Sequence, residues 1–206
     1  MKKVIKNSIF LILFLVTMIM LLLNKVSFLD DYIYKIIYGL RNNIWDFIFI
    51  NITKMGNTTI VLLVIIVVLL KMNHKNQKIL SFTAMITVLS NQIIKNIIKR
   101  PRPNHIRLIK QGGYSFPSGH AMISIAVYGF LLYYIQTNCK NKKQKILLSV
   151  LLTIIILMIG CSRVYVGVHY PTDIIGGYCL SIYILKMVIY FYQKYRGNSN
   201  EKNGNL

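Results

Sequence analysis

Six apolar stretches, at about 8–28, 57–72, 79–97, 118–136, 146–161 and 174–192, constrain this chain more than any other feature. With its flanks, each is long enough to cross a hydrocarbon core of ~30 Å at about 1.5 Å of rise per helical residue. Backbone N–H and C=O groups find no partners in hydrocarbon, so a chain that enters it repeatedly does so as helices. The predicted fold is therefore all-α, a polytopic membrane bundle of six transmembrane helices. An apolar fraction of 55% agrees with that class, and 206 residues suffice for one domain. The third stretch is the most polar, carrying Ser81, Thr83, Thr87, Ser90, Asn91 and Gln92. Those side chains are costly against lipid, which predicts that this helix lies inside the bundle.

Charge orients the spans. The formal net charge of +20 does not form the single stripe that nucleic acid requires. The basic residues cluster at the ends of apolar runs, where they snorkel or meet anionic headgroups. Thirteen of them fall in the N-terminal segment, residues 71–78, residues 140–145 and the tail, and eleven fall on the other side. The difference is small, but the second set includes Lys95, Arg102 and Arg163, which have a chemical duty described below. The positive-inside rule then puts both termini in the cytoplasm. The first stretch has the look of a signal peptide, but Asn24-Lys25-Val26-Ser27 lacks a small-x-small cleavage pattern, so a retained span is expected.

Residues 28–50 repeat apolar side chains at helical spacing and include Trp45, which predicts an amphipathic helix or helix pair at the interface. Packing over the outer mouth of the bundle is the simpler reading of this segment than a substrate gate. The polar tail 197–206 is expected to be disordered. Cys139, Cys161 and Cys179 have no metal-ligand spacing and are expected to be small buried residues.

Three polar strings interrupt this pattern, and all fall on one side of the bilayer. The first is Lys95-Asn-Ile-Ile-Lys-Arg-Pro-Arg102-Pro103. Prolines 101 and 103 end the third helix, and a guanidinium at Arg102 with an ammonium at Lys95 suits a phosphate. Lys99, Arg100, Arg107 and Lys110 read as ordinary anchors of a span end. The second string is Pro117-Ser118-Gly119-His120, in which Ser118 caps a helix and Gly119 admits a ligand close to the backbone. The helix N-terminus adds free N–H groups that favour an anion.

The third string runs from Ser162-Arg163 to His169 and on to Asp173. Pro171 breaks any continuous helix between His169 and Asp173, so the last span starts near Thr172 with the carboxylate in its first turn. From there Asp173 can accept from the imidazole of His169 and stabilise its positive form, as an orienting carboxylate does. The residues alone leave open which histidine attacks.

Together the strings resemble the signature of the type 2 phosphatidic acid phosphatases, K-x6-R-P, P-S-G-H and S-R-x5-H-x3-D. That superfamily also contains bacterial acid phosphatases and vanadium haloperoxidases. The match is complete at Lys95, Arg102, Pro103, Pro117 to His120, Ser162, Arg163, His169 and Asp173, and the stretch 162–177 resembles the bacterial membrane branch. The resemblance implies that His169 is the nucleophile that forms a phosphohistidine, with Asp173 orienting it. It implies that His120 protonates the leaving group and later activates water. It implies that Lys95, Arg102, Ser118, Gly119 and Arg163 hold the phosphoryl oxygens.

No cofactor and no metal are expected, because divalent cations want several carboxylates and the chain has only five acids, of which Asp173 alone is near the strings. The expected activity is hydrolysis of a phosphate monoester or terminal pyrophosphate on a membrane lipid. By resemblance the substrate is undecaprenyl pyrophosphate, phosphatidylglycerophosphate or phosphatidic acid. The expected setting is a bacterial cell membrane, with the site at the extracytoplasmic face and no obligate protein partner. The rival readings are a lipid-linked phosphotransferase using the same intermediate and a non-catalytic membrane scaffold. A haloperoxidase fits least, because such enzymes are generally soluble.

Overall fold

The structure is a computed structural model that describes residues 2–104 and 106–203. Every regular element among them is helical: α1 (Lys2–Leu22), α2 (Ser27–Gly39), α3 (Asn43–Lys54), α4 (Thr58–Lys71), α5 (His74–Ile98), α6 (Gly119–Ser124), a π-helical turn (Ile125–Gly129), α7 (Phe130–Asn138), α8 (Lys142–Tyr165) and α9 (Pro171–Asn203). Residues 28–50 form two helices, α2 and α3, as one of the two expected forms had it. Asn42 separates them, its side chain accepting from Ile44 N and Trp45 N at 3.0 Å to cap α3.

All six apolar stretches are helical, but their capacity to span is uneven. Taken alone, α8 and Pro171–Lys194 of α9 are long and apolar enough to cross a membrane. The number reaches four if the pair 8–22 with 27–39, bent by 99°, and the pair 43–54 with 58–71, bent by 49°, each count as one span. Helix α5 falls short because of its polar residues, and 119–138 because a π-helical turn interrupts it. The segment 119–138 is largely buried among its neighbours, whereas α5 buries one stripe and exposes Phe82, Met85, Val88, Leu89 and Ile93 on the other. Helix α9 runs to Asn203, into the segment 197–206 expected to be disordered. Gly197 costs a helix only about 1 kcal/mol and is not enough to stop it. Residues 204–206 lie outside the described residues.

The helices bury one side and show apolar side chains on the other, the reverse of a water-soluble bundle. On α8, Leu147, Val150, Leu151, Ile154 and Leu157 are all exposed, a stripe at 3–4-residue spacing. Its opposite side packs Ile156 and Ile159 against Val61, Ile79, Phe130 and Leu185. Cys161 continues the outward stripe and is exposed, and Cys139 and Cys179 are half-buried; the expectation that the cysteines are buried does not hold. Of the polar residues on α5, Thr83, Thr87 and Asn91 are buried, so the helix is interior on one side only and the expectation that it lies inside the bundle holds in part. Ser81 and Gln92 of the same helix are exposed, because residues at that offset turn away from the bundle.

Alternate helices bring the polar strings to one end. The C-termini of α5 and α8 meet the N-termini of α4, α6 and α9 there. The lysine-rich connections 71–78 and 140–145 join helices at the opposite end.

Candidate active site

His169 sits in the turn between α8 and α9. The chain reverses there through Gly167, whose φ of +77° and lack of a Cβ both matter, since a Cβ would lie 2.7 Å from Ile106 O. The N–H groups of Val168 and His169 return to Arg163 O at 3.2 Å, which fixes the loop against the end of α8. His169 is 2% exposed. Its Nδ1 is 3.2 Å from Asp173 Oδ2 and its Nε2 is 3.2 Å from a terminal nitrogen of Arg102. A guanidinium has donors and no acceptor, so Nε2 is the nitrogen with the lone pair and Nδ1 carries the proton toward Asp173. One tautomer is thus set from both sides. Burial pushes the His169 pKa down to about 4, against the upward pull of Asp173, so the ring is neutral near pH 7.

Asp173 is completely buried in the first turn of α9, as its position after Pro171 implied. Its Oδ2 accepts from Ser115 Oγ and, at 2.9 Å, from Tyr170 N. Its Oδ1 accepts from Arg100 at 2.6 Å. This corrects the reading of Arg100 as a membrane anchor: it is an interior cation, paired also with Asp30 at 2.6 Å. Burial works against that cation, but Asp173 and Asp30 hold its pKa above the ordinary value.

Six of the eight candidate residues, Lys95, Arg102, Gly119, His120, Arg163 and His169, line one cavity of about 820 Å³. Asp173 does not line it and lies behind His169. Ser118 does not line it. Its hydroxyl turns back to accept from Ala121 N as the cap of α6, and its own N–H is used on Asp173 O at 3.1 Å. Gly119 borders the cavity and leaves room for Asn91, whose Oδ1 would be 3.3 Å from a Cβ there.

Arg102 is not a free fork. It donates to Gly112 O, Gly113 O, Tyr114 O and Val168 O, and only one terminal nitrogen approaches His169. The cause is the proline-containing loop before α6, whose carbonyls have no helix to satisfy them and take the guanidinium instead. Lys95 Nζ likewise donates to Tyr114 O at 2.5 Å. Arg163 is 1% exposed and donates to Thr53 Oγ1 at 2.6 Å and Gln111 Oε1 at 2.9 Å. Its buried Nε has no hydrogen-bond partner among the described residues.

His120 Nε2 lies 2.9 Å from Asn57 Oδ1, in the turn between α3 and α4. Neither Asn57 nor Ser115, Gln111 and Thr53 is marked as a site residue by its local sequence. Away from this polar end the cavity runs between α4 and α5, past Val61, Leu62, Ile65, Met85, Val88 and Leu89. It therefore joins a cationic pocket to an apolar slot.

The sequence model of the PAP2 superfamily matches residues 77–196, more than half of the chain and all eight candidate residues. The chain belongs to the PAP2 superfamily. Phosphatidylglycerophosphatase B of Bacillus subtilis is 35% identical over 107 residues, which are 52% of this chain and 53% of that protein. Undecaprenyl-diphosphatase BcrC of Bacillus subtilis is 27% identical over 161 residues, 74% of this chain and 78% of that protein. Thus the chain spans about half the length of some curated PAP2 relatives and more of others. Among solved structures, the transmembrane PAP2 type phosphatidylglycerolphosphate phosphatase from Bacillus subtilis superposes with a TM-score of 0.82 at 27% identity, over 94% of this chain and 98% of that one. Aquifex aeolicus LpxE shares the fold with a TM-score of 0.68 at 21% identity, covering 79% of this chain and 95% of the other.

Proposed function

We propose that this PAP2 protein is a membrane lipid phosphatase that hydrolyses a phosphate monoester or terminal pyrophosphate through a phosphohistidine, without a metal. The observation that carries this reading is His169, held in one tautomer between Asp173 and Arg102 at the cationic end of a cavity that continues as an apolar slot. An amphiphile with a terminal phosphate matches that shape. Relatives named for phosphatidylglycerophosphate and undecaprenyl diphosphate support the same class.

In the reaction, His169 Nε2 attacks phosphorus and the bond to the lipid-side oxygen breaks. His120 gives that oxygen a proton, and Asp173 stabilises the positive ring formed on His169. His120 then takes a proton from water, which attacks the phosphohistidine and returns the electron pair to Nε2 as phosphate leaves. Arg163, Lys95 and Arg102 neutralise charge on the phosphoryl oxygens, and Gly119 at the start of α6 keeps the backbone close to them. Ser118 contributes by capping α6.

The proposed setting is six spans with both termini in the cytoplasm and the site at the outer face. Phosphate release from a panel of lipid phosphates in detergent, with excess EDTA present, tests the activity. Complete loss with chelator and recovery with magnesium would overturn the metal-free reading. In a cysteine-free background, Lys110→Cys should react with an impermeant thiol reagent in intact cells and Asn141→Cys should not; the reverse pattern would overturn the orientation.

A further inference from the structure

Behind the nucleophile lies a chain of buried charges that the phosphoryl chemistry does not touch. Asp30, on α2, is 1% exposed and accepts from Thr172 N at 3.0 Å, Thr172 Oγ1 at 2.9 Å and Arg100 at 2.6 Å. Arg100 extends its other terminal nitrogen to Asp173 Oδ1 at 2.6 Å and to Thr172 Oγ1 at 2.9 Å, and stacks over the Tyr170 ring at 3.9 Å. Arg100 does not border the cavity that holds His169. It faces a separate side cavity of about 410 Å³ shared with Asp30 and Tyr170. A phosphate ligand is therefore not its role.

We propose that Arg100 and Asp30 are positioning residues for the nucleophile, acting through Asp173, and that α2 belongs to the catalytic apparatus for this reason. The proposal rests on the phosphohistidine reading above.

Two physical arguments support it. The first is geometric. Arg100 takes Oδ1 of Asp173, so the carboxylate cannot rotate and Oδ2 stays on His169 Nδ1. The second is charge. Asp30, Arg100, Asp173 and a neutral His169 ring sum to one negative charge, and to zero once the ring turns positive, with the phosphoryl oxygens counted separately against Lys95, Arg102 and Arg163. Without Asp30, Arg100 would cancel Asp173 alone and leave nothing to stabilise the imidazolium. Sharing one guanidinium between two carboxylates keeps that charge in reserve. A buried network of this kind is worth its desolvation only when every member is satisfied, and here each carboxylate oxygen has a donor.

The experiment uses the full-length protein in detergent, with wild type and His169→Ala as references. Arg100→Ala should lower kcat by about tenfold to a hundredfold, the range for a group acting through one intermediary, with KM within about twofold. Adding guanidinium ion should restore at least tenfold of that loss, because the side cavity reaches Asp30 and Arg100 and the space left by the missing side chain extends it to Asp173; a scaffold defect would not respond. Asp30→Asn should lower kcat and slow phosphoenzyme formation while still giving label. Phosphoenzyme in the wild type with unchanged kcat in both variants, or a folded Arg100→Ala that loses kcat and shows no guanidinium rescue, would overturn the relay. A wild type that hydrolyses lipid phosphate but never forms acid-labile phosphoprotein would instead overturn the phosphohistidine reading.

Discussion

Replacing Gly56 by alanine tests the seat of the proposed acid. Gly56 lies in the turn between α3 and α4, beside Asn57. A Cβ there would stand 2.7 Å from His120 Cδ2 and 3.0 Å from Ile159 Cγ2. Carbon atoms settle at about 3.5–4.0 Å, so the imidazole has to retreat by roughly 1 Å, since Ile159 is fully buried and cannot yield. That retreat stretches the 2.9 Å contact between His120 Nε2 and Asn57 beyond hydrogen-bonding distance. A displacement of about 1 Å in a reacting group costs on the order of 10²-fold in rate, or about 2.7 kcal/mol. Overpacking adds about 1–3 kcal/mol of lost stability, which thermal unfolding in detergent measures separately.

The loss should depend on the leaving group. A lipid alkoxide needs a proton from His120, whereas p-nitrophenolate departs without one. Rapid-quench trapping of the phosphoenzyme should therefore show slow labelling from the lipid and near-normal labelling from p-nitrophenyl phosphate. A Gly56→Ala protein within twofold of wild type on the lipid, or one impaired equally on both substrates, would refute the reasoning.

His169→Ala should lose at least ~10³-fold in turnover, about 4 kcal/mol of transition-state stabilisation, and never carry label. His120→Ala should still be labelled from the activated ester and accumulate that label; label on the His169 variant would reverse the assignment. Attack needs the neutral imidazole, and burial holds His169 at a pKa of about 4, below its ordinary value. Its availability is therefore full at neutral pH and lost only as pH falls toward that value. The acid limb of kcat/KM, corrected for the substrate's own ionisation, should lie near pH 4, and an enzyme limb at pH 6.5 would contradict this. Lys99 ends α5 at φ +50°, a left-handed conformation that costs a residue with a Cβ roughly 1 kcal/mol or more. Lys99→Gly should raise the melting temperature by a few degrees, as followed by thermal unfolding, and a lowered value would show that the lysine side chain has an unrecognised partner.

The helical class, the approximate place of the apolar helices and the ends at which the polar strings fall were legible in the residues, because hydropathy and helix breaking are sums over near neighbours; the π-helical turn at 125–129 and the run of α9 to Asn203 were not. Pro171 and the four-residue offset from His169 to Asp173 put the carboxylate in the first turn of α9, within reach of the imidazole, for the same reason. What the string could not reveal is which partner each polar group takes. Arg100 looks like any cation at a span end, yet its carboxylates come from Asp30 and Asp173, 70 and 73 positions away. Asn57 meets His120 across 63 positions. Arg102 is drawn to the carbonyls of its own loop, and Ser118 turns onto its helix instead of the cavity. Local sequence sets the type and the ends of each helix. The choice among competing donors and acceptors is made only when distant elements pack and water is excluded, since a buried charge then accepts whichever partner the tertiary structure brings within reach.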